Sequence, residues 1–148
     1  MSAIDREAGR LREGPLQLGD WLGPSPPHCG ALSLFAGTVR NTHENRAVSG
    51  ILYHAYVPLA ERRLGEIETE AAQRFGAEVR LAHALGELRV GDISVIVVVY
   101  AGHREQSFAA CRWAIDTIKQ AVPIWKEERY ADGDSRFLDG VPLTDISN

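Results

Sequence analysis

The segment ISVIVVVYAGHREQSFAACRWAIDTIKQAVPIWKEE, residues 93–128, decides the fold. Its first nine residues are almost continuously β-branched, the pattern of a central strand buried on both faces. Gly102-His103-Arg104 breaks that run. From Phe108 the apolar residues change period: Phe108, Cys111, Ile115, Ile118 and Val122 recur at three- and four-residue steps, one stripe on a helix. Pro123 ends the helix, because it has no N–H and pushes Val122 out of helical geometry. Ile124-Trp125-Lys126 then reads as extended chain.

Working outward, Gly30–Val39 is a buried strand, with Gly37 marking a bulge or a close approach of another backbone or ligand. Arg40–Arg46 is a polar loop, long for a tight hairpin and of a length that suits a mobile cover over a site. Val48–Tyr56 is a second strand, and Pro58 opens a helix whose apolar face runs through Leu59, Leu64, Ile67, Ala71 and Phe75. Its charged residues, Glu61 and Glu68 among them, read as a solvated face. Ala77–Leu85 alternates as a strand, and Arg136-Phe137-Leu138 is a short one after the Asp132-Gly133-Asp134 turn. The order strand, strand, helix, strand, strand, helix, strand predicts an α+β two-layer sandwich with a mainly antiparallel sheet. Residues 1–15 are expected to be a disordered leader, 16–140 a single catalytic domain and 141–148 a loose tail.

The chain has 148 residues, 45% of them hydrophobic, and a net charge of −4, which speaks for one ordinary globular domain and against nucleic-acid binding. It lacks a membrane-length apolar run, a signal-like apolar core and any paired cysteine motif, so a cytoplasmic location is expected. The five histidines have no zinc or iron spacing, and no phosphate loop or G-x-S-x-G motif is present. What stands out is lysine. Of 16 basic residues only Lys119 and Lys126 are lysines, both in the segment quoted above. Lysine differs from arginine in offering a compact amine that can lose its proton, attack a carbonyl or grip one oxyanion. Arg40, at a strand exit, suits either an anion clamp or a solvated loop. His103 and Arg104 sit at a helix start, where free N–H groups favour anions. Together these cations in an acidic chain point to a small anionic substrate, a phosphate or carboxylate.

The segments HCGALSLFAGTVRNTHENRAVSGILYHAYVPLAE, HALGELRVGD, AGHREQSF and above all IDTIKQAVPIWKEE resemble the large, catalytic subunit of molybdopterin synthase. That resemblance covers most of residues 28–139 and implies an α/β-hammerhead-like fold. It further implies a homodimer within a heterotetramer, each subunit docking a small ubiquitin-like sulfur carrier, with no resident cofactor. The expected reaction moves two sulfurs from the carrier's C-terminal thiocarboxylate to cyclic pyranopterin monophosphate, forming the molybdopterin dithiolene. Lys119 and Lys126 become the catalytic pair, and Thr38, Val39, Arg40, His103, Arg104, Lys119, Lys126, Glu127 and Glu128 the substrate-binding positions. Arg136 is a cross-dimer candidate. Two departures stand: His83-Ala84 replaces the family's His-Arg, with Arg80 or Arg89 as substitutes, and His54 replaces an acid. They leave open a non-catalytic paralogue that only binds the carrier.

Overall fold

A computed structural model describes residues 9–138. Ten elements follow in order: β1 (Leu11–Glu13), β2 (Ala31–Thr38), β3 (Thr42–His43), β4 (Arg46–Ala55), α1 (Val57–Phe75), β5 (Glu78–Arg89), β6 (Ile93–Ala101), α2 (Arg104–Ala121), β7 (Ile124–Tyr130) and β8 (Ser135–Leu138). The sheet runs β2-β6-β5-β4-β7-β8, with β3 against β4 and β1 against β5. Every pairing is antiparallel except β1 with β5, so the α+β reading with a mainly antiparallel sheet holds.

β5 is the hinge of this sheet. Residues Glu78–His83 pair with β6, and Gly86–Arg89 pair with β4. Between them Gly86 takes φ +82°, a left-handed conformation that glycine adopts without strain. α1 and α2 bury Leu64, Ile67, Ala71, Ala110, Ala114 and Ile118 against Val79, Leu81, Val97 and Val99 of β5 and β6. On the other side of the same strands a second core joins Ala82, Ile96, Val98 and Tyr100 to Leu16 and Trp21. β6 is therefore buried on both faces, as its composition predicts.

A short strand within residues 9–15 corrects the expected leader. Residues 1–8 lie outside the described part, but Leu11–Glu13 form β1, with Leu11 opposite His83. Glu61 of α1 accepts the Leu11 amide, and Glu68 pairs with the Arg10 guanidinium at 2.7 Å while accepting the Leu81 amide. These two acids are fasteners, not solvated residues. Trp21 and Leu16, each 4% exposed, then seal the second face, at about 1.5–3 kcal/mol for each large apolar side chain. The predicted tail, residues 141–148, lies outside the described residues.

Two further corrections concern the site's surroundings. Phe108, assigned to the buried stripe of α2, is 66% exposed, because α2 begins at Arg104 and its first turn anchors through Ser107, whose hydroxyl donates to Ser33 at 2.7 Å. The polar Arg40–Arg46 segment folds as a tight hairpin, with His43 opposite Arg46. Its two tip residues, Glu44 and Asn45, have φ +48° and +67°, the doubly left-handed turn that matches strand twist. Among the described residues no helix is long and apolar enough to cross a membrane.

Candidate active site

The cleft lies where the two halves of the sheet diverge. α2 ends at Ala121, Val122 is extended, and buried Pro123 leads directly into β7. This turn returns the chain, so that Lys119 on the last turn of α2 and Lys126 on β7 line one cleft of about 410 Å³. Thr38 and Arg40 reach it from the exit of β2, where the register slips between Gly37 and Thr38. A Cβ on Gly37 would stand 2.6 Å from Val95 Cγ1, so the expected bulge and the expected close approach coincide there. Tyr53 and Glu128 complete the wall from β4 and β7.

Deeper in, a cavity of about 240 Å³ is bounded by Tyr53, His83, Ser94, Ile118, Lys119 and Lys126. Burial pushes the Lys126 ammonium down from its ordinary value; Lys119 and Arg40 act the same way, and Glu128 opposes them. A larger share of Lys126 is thus available as neutral amine than for a free lysine. Burial also raises the Tyr53 phenol, which stays protonated and able to donate. Glu128, 2% exposed, has a carboxylate oxygen 2.8 Å from His43 Nδ1, a contact that brings the hairpin to the cleft floor. Arg46 pairs with Asp132 and Asp134 at 3.1 and 3.2 Å, so the hairpin is fastened on both sides.

The structure brings together Thr38, Arg40, Lys119, Lys126 and Glu128. Val39 instead packs in the second core, and Glu127 points to the other face of β7, with its carboxylate 3.6 Å from His54 Nε2. His103 and Arg104 are exposed at the start of α2, roughly 22 Å along the axis from Lys119 at 1.5 Å per residue. Arg136, on β8 opposite Glu128, is exposed and 4.0 Å from Glu44. Arg80 pairs with Glu78, and Arg89 borders a separate surface cavity, so neither takes the place of the arginine missing at Ala84, itself wholly buried. The residues that sequence reasoning passed over are Tyr53, His83, Ser94 and His43. Ser94 carried a signal, as the one serine in a strand of otherwise apolar and aromatic residues. Among the described residues no group of three His, Cys, Asp or Glu is placed to hold a metal.

The fold and site define an α+β domain with two amines and a guanidinium over one cleft, a setting that suits an anionic ligand. Comparison with known proteins makes this specific. The family model described as MoaE protein matches residues 11–121. The molybdopterin synthase catalytic subunit of Synechococcus elongatus is 46% identical over 113 residues, 75% of this chain and 68% of that protein. The crystal structure of molybdopterin synthase from Staphylococcus aureus superposes with a TM-score of 0.81 at 29% identity, covering 88% of this chain and 96% of the other. Subunits 1 and 2 of the Helicobacter pylori molybdopterin-converting factor, solved as a complex, include a chain with a TM-score of 0.74 at 21% identity. It covers 93% of this chain and 96% of its own, and at that identity it speaks for the fold alone. The chain belongs to the MoaE family, the molybdopterin synthase catalytic subunits.

Proposed function

We propose that this cleft receives the C-terminal thiocarboxylate of a small ubiquitin-like carrier and delivers two sulfurs to cyclic pyranopterin monophosphate, forming the molybdopterin dithiolene. The observation that carries the reading is the meeting of the chain's two lysines with Arg40 in one cleft. Arg40 and Lys119 supply positive charge for the cyclic phosphate and for the thiocarboxylate anion. For each sulfur, the thiocarboxylate sulfur bonds to a substrate carbon as a carbon–oxygen bond at that carbon breaks and its oxygen departs, and the acyl carbon–sulfur bond then breaks. An oxygen from water takes the sulfur's place, so the carrier leaves as a carboxylate. Lys126, with its proton held loosely, is suited to attack the acyl carbon or to shuttle that proton, and Lys119 to stabilise the oxyanion.

No resident cofactor enters this scheme, and a cytoplasmic setting suits it. A Helicobacter pylori protein of the same fold was solved in complex with a second subunit, and a small carrier subunit is the partner proposed for this chain. In a homodimer within a heterotetramer, a second copy would bring His103, Arg104 or Arg136 to the cleft, which fits their exposure and their distance from Lys119 within one chain. The test is reconstitution with thiocarboxylated carrier and cyclic pyranopterin monophosphate. Dithiolene should form with the native chain, and Lys119→Ala should lower the rate at least about a hundredfold, the scale of one lost oxyanion donor. Native-like turnover by that variant refutes the lysine assignment.

A further inference from the structure

The inner cavity contains a titratable group that the proposed chemistry does not use. His83 is 7% exposed, stands edge-on to the Tyr53 ring at 4.9 Å, and has Nδ1 2.7 Å from the carbonyl oxygen of Ala84. A carbonyl only accepts, so Nδ1 carries the proton in that bond. In a neutral ring Nε2 is then a bare acceptor. Among the described residues no hydrogen bond occupies Nε2.

The surroundings keep the ring neutral. It is faced by Tyr53 from β4, Ser94 and Val95 from β6, Ile118 and Lys119 from α2, and Lys126 from β7. Among the described residues no carboxylate lines this cavity to favour an imidazolium. Burial holds the imidazole down at about 4, the Ala84 bond opposes this, and the charge of Lys119 adds to the lowering. Lys119 lines the same cavity from the last turn of α2.

We propose that His83 is a positioning residue for Lys119: its ring, locked by the Ala84 carbonyl, offers Nε2 as a hydrogen-bond acceptor that turns the Lys119 amine into the inner cavity. A neutral acceptor suits this place, since it orients an ammonium without competing for its charge. Ala84 contributes through its backbone, so the side-chain difference at that position leaves the device intact. The inference rests on the lysine-centred reading above.

The test uses the native chain with thiocarboxylated carrier and cyclic pyranopterin monophosphate in single-turnover measurements. His83→Leu removes the acceptor and should slow transfer roughly ten- to a hundredfold, the loss of one hydrogen bond to a charged group. His83→Gln, whose side-chain oxygen reaches the Nε2 position, should rescue most of that loss. Nitrogen-15 NMR should show the His83 ring, assigned by its loss from both variants, neutral and in the Nδ1–H tautomer near pH 7. Selective carbon-13 lysine labelling yields two signals, and that of Lys119 should move in His83→Leu. An Nε2–H tautomer, a Leu variant as fast as the native chain, or a Gln variant as slow as Leu overturns the proposal. A fast Leu variant beside a dead Lys119→Ala overturns this inference alone, whereas an active Lys119→Ala overturns the reading beneath it. Should His83→Leu not fold, the native tautomer and the Gln variant decide.

Discussion

Lowering the pH should destabilise this protein through His83 specifically, and the size of the effect follows from its burial. The ring holds its proton only below about 4 when folded, against 6.5 in an open chain. Between those values the unfolded chain binds a proton that the folded one refuses, so stability falls as pH drops through that window. At about 1.4 kcal/mol per pH unit, the full loss approaches 3 kcal/mol at pH 4 and is absent at pH 7. For a domain that starts with about 5–15 kcal/mol this is a large fraction. The assay is guanidinium unfolding followed by tryptophan fluorescence at pH 7.0, 5.5 and 4.5 and fixed protein concentration, for the native chain and His83→Gln. Carboxylates contribute to both curves equally, so the difference in slope isolates the imidazole. The native chain should lose about 2 kcal/mol more than the variant between pH 7 and 4.5. Parallel curves for the two proteins would refute the claim that this ring is neutral and buried.

Two other perturbations reach the same cleft from different sides. Glu128→Gln leaves an oxygen beside His43 but removes the charge that holds a proton on Lys126. The Lys126 carbon-13 signal should titrate at lower pH than in the native chain. An unmoved midpoint would show that Glu128 does not act on that lysine. Gly37→Ala forces a methyl to within 2.6 Å of Val95 Cγ1, overpacking worth about 1–3 kcal/mol. The melting temperature should fall by roughly 3–10 °C and the substrate KM should rise, and a melting temperature within about 1 °C of native would contradict the close packing at that bend.

The helices and the central strand were legible because their signals are local. The β-branched run of residues 93–101, the stripe ending at Pro123 and the Pro58 helix start each state their period in the sequence itself. The lysine pair was legible by scarcity. Phe108 misled because a stripe extrapolated toward a helix start does not know where packing stops, and there Ser107 makes the contact instead. β1 was invisible: its three residues have no periodicity, and what orders them is Glu61 and Glu68, some fifty residues away. The hairpin tip was missed because Glu44-Asn45 lacks the glycine that usually marks such a turn. Tyr53 and His83 read as strand residues, which they are; only the bend at Gly86 reveals that they face a cavity.

The position of β4 has a consequence for how the molecule assembles. Ile51 is bonded across one edge to Leu88 and across the other to Glu128, so the strand joins segments from the middle and the end of the chain. Until both partners have been gathered, the β2 exit and β7 are unconnected loops, and closing them carries a large entropic cost before any contact repays it. The helical hairpin α1-β5-β6-α2 has shorter-range contacts and is free to form first. The chemistry sits on a seam between strands distant in sequence, so slow steps on the folding path should coincide with the acquisition of activity.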